Sequence, residues 1–175
     1  LPALLREGMA VVISPLISLM KDQVDSLRDM GISAAYLNSS LSSVEQRAVI
    51  ELIKKGELKL LYISPERLQT EDTIDLLKSV QLSFFVIDEA HCISHWGHDF
   101  RMDYRNLKII KERFGSIKVH AFTATATKVV QKDILEQLML DDSAIHIADV
   151  DRPNLIYRMA PRSTIIAQVT DILEK

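Results

Sequence analysis

Short, almost entirely apolar runs recur along this chain and are separated by longer stretches with helical periodicity. The five clearest runs are AVVIS at 10–14, SAAYL at 33–37, KLLYIS at 59–64, FFVID at 84–88 and KVHAFT at 118–123. Apolar runs of this length without polar alternation are typical of strands that are buried on both faces of a sheet. Two weaker runs, at 144–148 and 155–159, are further strand candidates.

The segments between the runs predict amphipathic helices. Residues 16–30 keep apolar side chains at helical spacing, and Gly31 follows at a position where helices commonly end. In the next segment Ser43 and Gln46 predict a capping box, and Gly56 predicts the end of that helix. Because strands and helices alternate, we predict an α/β fold with a mostly parallel sheet and right-handed crossovers.

Length and composition indicate one globular domain without a membrane-spanning segment. The chain has 175 residues, of which 47% are hydrophobic, enough for one core. No apolar run reaches the roughly 20 residues that span a bilayer, so we expect a soluble protein with no membrane partner. The single cysteine, Cys92, excludes an intramolecular disulfide framework. It fits a reducing compartment, which is the cytoplasm or nucleoid or, in a eukaryote, the nucleus.

The two ends of the sequence suggest a piece of a longer protein. The chain begins with LPALLREG, without an initiator methionine or a signal pattern. A candidate boundary lies at 149–154, where DVDRPN interrupts the alternation and Pro153 stops any helix. We therefore expect residues 1–150 to form a partial domain and residues 151–175 to connect it to a missing region.

The dipeptide Ser-Pro occurs twice where a predicted strand meets a predicted helix, at Ser14–Pro15 and at Ser64–Pro65. A serine there caps a helix, and proline suits the first helical position because its missing N–H would be unpaired anyway. Both helices would then begin at the carboxyl edge of the sheet, where open parallel sheets bind ligands and helix N-termini favour phosphates. For either dipeptide alone, helix capping is a sufficient explanation.

Two adjacent acids, Asp88 and Glu89, directly follow the apolar run FFVI. Adjacent carboxylates are poor core residues, although acids also occur in turns for local reasons. In nucleotide-hydrolysing folds, an Asp at a strand end holds Mg²⁺ through water, and a following Glu orients and deprotonates the attacking water. The pair therefore makes Asp88 a candidate Mg²⁺ ligand and Glu89 a candidate catalytic base.

The usual phosphate cradle, G-x-x-x-x-G-K-[ST], does not occur in the sequence, because none of its glycines is followed by Lys and then Ser or Thr. We expect such a loop upstream of Leu1.

Several segments, in a fixed order, resemble the first RecA-like motor domain of RecQ-family ATP-dependent DNA helicases. They are VVISPLISLMKDQVDSL, LLYISPERL, VIDEAHCISHWGHDFR, AFTATAT and DRPNL. The resemblance covers essentially the whole chain, and HCISHWGHDFR is more specific to RecQ than the acidic box or Thr-Ala-Thr. It implies a three-layer RecA-like fold and the use of ATP and Mg²⁺. It also implies single-stranded or partly duplex DNA as a partner, and a second RecA-like domain that completes the ATP cleft. Because we expect the phosphate loop and that second domain outside these 175 residues, we expect the chain by itself to show no significant ATP hydrolysis or unwinding.

The resemblance also implies roles for individual residues. It gives Mg²⁺ coordination to Asp88 and catalysis of water attack to Glu89, and it places His91 near the γ-phosphate. The residues implied in linking hydrolysis to DNA movement are Thr123, Ala124 and Thr125. The residues implied in DNA contact near the two Ser-Pro dipeptides are Ser14, Lys21, Ser64 and Arg67.

The spacing of His91, Cys92, His95 and His98 resembles a set of zinc ligands. A structural zinc site commonly has two or more cysteines, whereas this chain has one, and Gly97 interrupts any helix that would align the later histidines. We therefore expect no zinc in this chain and interpret Cys92 as a small buried apolar side chain.

Trp96, Phe100 and Tyr104 are spaced by four residues, which fits a helix with one buried apolar stripe. The interleaved polar residues and the neighbouring glycine favour an exposed loop instead, in which aromatic rings stack on bases and arginine pairs with phosphate. The matching RecQ segment is an aromatic-rich loop that couples DNA binding to ATP hydrolysis. The candidates for DNA contact in this loop are Trp96, His98, Phe100 and Arg101. Tyr104 fits the core equally well.

Three functions remain open on the sequence alone. The leading one is half of the motor of a 3′-to-5′ DNA helicase of the RecQ type, with the polarity taken from the family. The others are another superfamily-2 motor, including an RNA-directed one, and a non-catalytic nucleic-acid-binding module. The paired acids disfavour the binding module. The net charge of −3 means that any nucleic-acid contact requires a local basic patch.

Overall fold

In a computed structural model of the chain, the described residues are 1–140, 145–148, 154–156, 159, 161 and 164–174. The chain divides into two compact units, Leu1–Ala144 and Ile145–Lys175. The first unit contains a sheet and the candidate site. The second contains a helix in which the side-chain amide of Gln168 donates a hydrogen bond to the carbonyl oxygen of Pro161 at 2.9 Å.

A five-stranded sheet forms the centre of the first unit. Its strands, in chain order, are β1 (Met9–Ile13), β2 (Ala34–Leu37), β3 (Leu60–Ile63), β4 (Leu82–Ile87) and β5 (Lys118–Ala121). All neighbouring strands are parallel, and their order across the sheet is β2-β3-β1-β4-β5. In the register, Ala10 of β1 pairs with Leu60 on one side and Phe84 on the other. The predicted α/β fold with a mostly parallel sheet is confirmed.

Helices connect the strands. The α-helices are α1 (Pro2–Leu5), α2 (Ile17–Asp29), α3 (Ser43–Lys54), α4 (Pro65–Leu68), α5 (Glu71–Lys78), α6 (Met102–Arg105), α7 (Ile109–Arg113), α8 (Lys128–Leu138) and α9 (Ile165–Leu173). Two 3₁₀ helices, Ala90–Ile93 and Asn106–Lys108, lie on either side of α6. In the described part of the chain, we find no helix with the length and hydropathy of a membrane span.

Side chains on the two faces of the sheet pack against different helices, because successive residues of a strand point to opposite faces. Val11 and Phe85 pack on one face in a large buried cluster with residues of α3, α5 and α8. Val12 packs on the other face with Met20 and Val24 of α2. The first unit therefore has three layers, with the sheet between two layers of helices.

The helix ends follow local chemistry, with one prediction wrong by a residue. The capping box of α3 uses Ser42 and Glu45 rather than Ser43 and Gln46. The backbone N–H of Glu45 donates to the Ser42 hydroxyl at 3.3 Å, and the N–H of Ser42 donates to the Glu45 carboxylate at 2.8 Å. The helix ends are as predicted. Glycines 31 and 56 have positive φ angles of 74° and 70° directly after the C-caps of α2 and α3.

The two Ser-Pro dipeptides differ in their local structure. Ser64 caps α4 as predicted, since its Oγ accepts a hydrogen bond from the backbone N–H of Arg67 at 3.3 Å, and Pro65 lies in the first turn. Ser14 does not cap α2, so that prediction is wrong. The backbone is still extended at Leu16, which precedes the helix without a side-chain cap.

The two weaker strand candidates are not strands in their described residues. Residues 145–148 of the first and residues 155, 156 and 159 of the second have no regular secondary structure. Residues 144, 157 and 158 lie outside the described residues. So does most of the predicted boundary at 149–154, of which only Asn154 is described.

The strand order creates a crevice between the ends of β1 and β4. The chain leaves β1 for the β2 and β3 side of the sheet, and it later returns to add β4 and β5 on the other side. Open parallel sheets bind ligands at such a switch point, outside the carboxyl ends of the strands. Asp88 follows β4 at this point, and its backbone N–H donates to the carbonyl oxygen of Ile13 at 2.9 Å.

Candidate active site and nucleic-acid interface

The acidic turn, residues 88–93, has an uncommon backbone conformation at Glu89. Its φ of 48° and ψ of 44° lie in the left-handed region, which non-glycine residues rarely adopt. Such a conformation costs roughly 1–3 kcal/mol and persists where neighbouring structure holds it. The backbone N–H of Asp88 donates to Ile13 and that of Ala90 donates to Phe122, each at 2.9 Å. The end of β1 and the segment after β5 therefore fix the turn from both sides.

His91 connects Glu89 to the segment after β5. Its Nδ1 lies 3.2 Å from Oε2 of Glu89 and 3.0 Å from Oγ1 of Thr123. Because an ionised carboxylate can only accept, this geometry assigns a proton to Nδ1. The Thr123 hydroxyl also accepts a hydrogen bond from the backbone N–H of Thr125 at 3.2 Å. A continuous polar chain therefore runs across the ends of β4 and β5.

The carboxylate of Asp88 offers one oxygen to a ligand. Its Oδ1 accepts a hydrogen bond from the backbone N–H of Glu89 at 3.0 Å, whereas its other oxygen accepts none from the described residues. The side chain is partly exposed. Protein Mg²⁺ sites commonly use one or two carboxylates and fill the other positions with water and phosphate oxygens, so this donor fits Mg²⁺. Over the described ranges, no group of three or more His, Cys, Asp or Glu side chains could enclose a metal ion.

A cleft of about 250 Å³ opens beside these residues. Its lining comes from the ends of β1, β4 and β5 and from the loop before α6, and consists of Pro15, Leu16, Glu89, His91, His98, Asp99, Ala124 and Thr125. The cleft therefore lies at the switch point of the sheet, where the fold predicts a ligand.

The aromatic loop, residues 94–101, folds back over the 3₁₀ helix Ala90–Ile93. A Cβ atom at Gly97 would lie 2.5 Å from the carbonyl oxygen of His91, so only glycine permits this approach. The ring of His98 stacks on His91 with 4.3 Å between ring centroids. The backbone N–H of Arg101 donates to the carbonyl oxygen of Cys92 at 2.9 Å. Residues 94–101 are not helical, in agreement with the predicted loop. The loop contacts the acidic turn at several points.

The aromatic side chains differ in exposure. Trp96 is 76% exposed, and Phe100 is partly exposed and stacks on His95 with 3.8 Å between ring centroids. Tyr104 is fully buried, and its hydroxyl donates a hydrogen bond to the backbone carbonyl oxygen of Asp88 at 3.0 Å. Tyr104 therefore belongs to the core, and Trp96 has the most accessible ring of the three.

Arg101 joins the aromatic loop to the segment after β1. Its guanidinium donates to Oδ2 of Asp99 at 3.0 and 3.3 Å and to the carbonyl oxygen of Pro15 at 3.2 Å. Hydrogen bonding to Arg101 holds the pKa of Asp99 below its ordinary value. Burial raises the pKa of the Cys92 thiol to about 11, and the nearby Asp99 carboxylate adds to that shift. Cys92 has the buried position predicted for it.

The remaining predicted DNA-contacting residues lie after β1 and β3. Ser14 and Ser64 are buried at neighbouring strand ends, and the Ser14 hydroxyl has no hydrogen-bond partner within the described part of the chain. The same holds for the buried Nε of Arg67. Lys21 is exposed on α2, where its ammonium pairs with Asp25 at 2.9 Å. Thus Ser14 and Ser64 lie together at the carboxyl ends of β1 and β3, whereas Lys21 lies on the surface.

Sequence reasoning missed two residues that brace the site, Gln69 and Asp99, and it missed the hydrogen bond by which Tyr104 also braces it. The side-chain amide of Gln69 donates to the carbonyl oxygen of Asp103 at 3.2 Å and accepts from Asn106 at 2.9 Å, which joins α4 to α6. For Asp99, an acid two residues before Arg101 was a visible signal. The contacts of Gln69 and Tyr104 join separate elements and leave no local pattern.

Comparison with known proteins identifies the family. Residues 1–133 match the family model described as DEAD/DEAH box helicase. The chain is 48% identical over 162 residues to the ATP-dependent DNA helicase RecQ of Pasteurella multocida, covering 93% of this chain and 26% of that protein. It is 45% identical over 170 residues to the ATP-dependent DNA helicase RecQ of Haemophilus influenzae, covering 97% of this chain and 28% of that protein. The chain thus spans about a quarter of the length of these relatives.

A solved structure shares the fold. The DEAD-box helicase Mss116 bound to ssRNA and UDP-BeF aligns with 75% of this chain and 28% of that chain, with a TM-score of 0.53 and 19% sequence identity. The predicted RecA-like fold and the predicted resemblance to RecQ helicases are both confirmed. The family match extends over most of the sequence, and the chain belongs to the DEAD/DEAH box helicase family.

Proposed function

We propose that this chain forms part of the first motor domain of an ATP-dependent 3′-to-5′ DNA helicase of the RecQ type, which couples ATP hydrolysis to DNA unwinding. The observation that carries the proposal is the polar chain from Glu89 through His91 to Thr123. It joins a candidate base at the end of β4 to the segment after β5, beside a cleft at the switch point of the sheet.

Glu89 acts in this proposal as the base for the attacking water. Its carboxylate is partly exposed, and the hydrogen bond to His91 leaves its other oxygen available to accept a proton from water. His91 is buried, so it holds the Glu89 side chain in one orientation. We assign Mg²⁺ to Asp88, through water, where the ion would neutralise charge on the phosphates of bound ATP.

The aromatic loop supplies the nucleic-acid contact in this proposal. Trp96 is the most exposed ring and stacks on a base, and Phe100 extends that surface. Arg101 lies between this surface and the acidic turn, since its backbone bonds to Cys92 and its guanidinium to Asp99. His98 reaches the acidic turn by stacking on His91. The further DNA contacts that we propose are Lys21 and Arg67. Ser14 and Ser64, which the resemblance also implies, are buried at the ends of β1 and β3, so we propose that they support these contacts from beneath.

The polar chain also suggests how ATP hydrolysis and DNA contact are coupled. Thr123 hydrogen-bonds to His91, while Ala124 and Thr125 line the cleft. A shift of residues 123–125 would move His91 and therefore Glu89. We propose that this segment links the state of the ATP site to movement along DNA.

The partners and setting follow from this assignment. We propose that residues 1–150 belong to the motor domain and that residues 151–175 lead to a second RecA-like domain. ATP and DNA are then the ligands. The cytoplasm or the nucleoid, or the nucleus in a eukaryote, is the compartment in which the protein meets both. The relatives named RecQ are described as ATP-dependent DNA helicases.

ATP hydrolysis in the full-length protein that carries this sequence tests the proposal. We expect hydrolysis that single-stranded DNA stimulates and that Asp88→Ala abolishes, together with unwinding of a duplex with a 3′ overhang. Nucleic-acid binding without hydrolysis would favour the non-catalytic binding module. Stimulation by single-stranded RNA, but not by DNA, would favour an RNA-directed motor.

A further inference from the structure

Tyr104 makes a contact with the acidic turn that none of the roles assigned above uses. It is fully buried in α6, and its hydroxyl donates a hydrogen bond to the backbone carbonyl oxygen of Asp88 at 3.0 Å. A buried tyrosine needs a partner for its O–H, and here that partner is the backbone of the candidate Mg²⁺ ligand.

The contacted carbonyl belongs to the peptide group between Asp88 and Glu89. Peptide groups are planar, so the carbonyl oxygen of Asp88 and the N–H of Glu89 turn together. Tyr104 holds the oxygen end, while Oδ1 of the Asp88 carboxylate holds the N–H end at 3.0 Å. The same plane leads into the left-handed backbone of Glu89. Fixing this one plane therefore sets the directions in which both carboxylates project.

The helix that carries Tyr104, α6, is connected to two segments of the proposed nucleic-acid interface, the aromatic loop and α4. It begins directly after Arg101, the last residue of the aromatic loop, whose backbone is bonded to Cys92 of the acidic turn. On its other side, Gln69 joins α6 to α4, the short helix that Ser64 caps. A displacement of either segment would therefore reach the hydroxyl of Tyr104.

We propose that Tyr104 is a positioning residue for ATP hydrolysis, which orients Asp88 and Glu89 by anchoring the peptide group between them; this rests on the function proposed above. It predicts that the hydroxyl, and not the ring alone, is needed for turnover. It also predicts that ATP binding is spared, because Tyr104 does not line the cleft.

Tyr104→Phe in the full-length protein tests this, since it removes the hydroxyl and keeps the ring in the core. Tyr36→Phe, which makes the same chemical change on β2, is the matched control. Hydrogen exchange of the backbone amides of residues 88–93 measures the anchoring without any need for activity. We expect exchange to become about 3- to 10-fold faster in Tyr104→Phe and to stay unchanged in Tyr36→Phe, as for loss of one hydrogen bond.

Steady-state kinetics measure the consequence. We expect Tyr104→Phe to lower the kcat for DNA-stimulated hydrolysis about tenfold and to raise the Mg²⁺ concentration for half-maximal activity. The KM for ATP should stay within about twofold, because misplaced catalytic groups affect turnover more than binding. The thermal unfolding midpoint should fall by no more than a few degrees, about the size expected for one hydrogen bond in a small domain.

Unchanged exchange at residues 88–93 would overturn the proposal, because the hydroxyl would not be anchoring the turn. Faster exchange with unchanged kcat and Mg²⁺ dependence would also overturn it, because the contact would then be structural alone. A rise in KM with unchanged kcat would assign Tyr104 to substrate binding and contradict it. Failure of the proposed function itself is distinguishable, since the unmodified protein would then hydrolyse no ATP.

Discussion

The acidic turn and the aromatic loop are adjacent in the chain but differ in burial and bonding. His91 and Cys92 in the turn are 5% and 0% exposed, and the turn is hydrogen-bonded to the ends of β1 and β5. In the loop, Trp96 is 76% exposed and His95, His98 and Asp99 also face solvent. The buried, hydrogen-bonded segment has the properties that catalysis requires, and the exposed segment has those that binding of an extended partner requires.

The acidic turn and the aromatic loop are nevertheless joined by direct contacts. Gly97 lies against the backbone of His91, His98 stacks on the His91 ring, and Arg101 bonds to Cys92. A binding partner that displaces the loop therefore also displaces residues of the turn, because the two segments are in direct contact. The comparison predicts that substitutions in the turn affect hydrolysis itself, whereas substitutions in the loop affect its dependence on DNA.

The largest effect is expected for Glu89→Gln in the full-length protein. Removal of the base should lower kcat about 1,000-fold, within the range of 10²–10⁴ typical of general bases, both with and without DNA. Single-turnover and steady-state ATPase assays measure this change. Glu51→Gln, on an exposed position of α3, is the control and should change neither rate. A Glu89→Gln protein within tenfold of the unmodified rate would contradict the assignment of the base.

The next largest effect concerns the thiol of Cys92. Burial raises its pKa to about 11, so the fraction present as reactive thiolate at a pH of about 8 is lower by about two orders of magnitude than for an ordinary cysteine. Alkylation by N-ethylmaleimide should therefore be at least 100-fold slower in the folded chain than in guanidinium. Comparable rates in the two conditions would mean that the acidic turn opens readily and would remove its contrast with the loop.

Gly97→Ala should disturb the junction between the two segments. The new methyl group would overlap the carbonyl oxygen of His91, so the loop must shift, at a cost of about 1–3 kcal/mol in the free energy of unfolding. Denaturant unfolding measures this loss. Gly115→Ala is the milder comparison, because its Cβ would lie 3.2 Å from the carbonyl oxygen of Lys111, a tight contact that a shift of a few tenths of an ångström relieves. Equal stability of the two variants would show that the close approach at Gly97 is unimportant.

The smallest effect on the folded protein is expected for Trp96→Ala. Because the ring is largely exposed, the free energy of unfolding should change by no more than about 0.5 kcal/mol. Basal ATP hydrolysis should also be unchanged, while the DNA-stimulated component should fall about tenfold through loss of base stacking. Val44→Ala, at another exposed apolar position, is the control. Undiminished stimulation by DNA would remove Trp96 from the interface.

Local chemistry made much of the fold predictable. The five apolar runs correspond to the five strands, and glycines 31 and 56 follow the ends of α2 and α3. The error in the capping box arises because SLSSVEQ contains two overlapping cap patterns. The register with Glu45 is the one formed, and it places a carboxylate rather than an amide at the positive end of the helix.

The site was predictable only in part, since its contacts join separate elements. The acids at the end of β4 were visible as a pair, and the exposure of Trp96 followed from its glycine neighbour. The left-handed backbone of Glu89 was not predictable, because a glutamate carries no signal for it. The hydrogen bond from Tyr104 to Asp88 spans 16 residues and depends on how α6 packs, which no periodicity records.

Fluorescence of Trp96 tests most directly whether the exposed loop, rather than the acidic turn, meets nucleic acid. Trp96 is the single tryptophan of the 175-residue chain, so in a titration of that chain its emission reports on the aromatic loop alone. Titration with single-stranded DNA, with binding followed in parallel by anisotropy of labelled DNA, should quench this emission over the same concentration range as binding, and added salt should reverse both. Binding by anisotropy with unchanged Trp96 emission would contradict the assignment of the aromatic loop to the DNA interface.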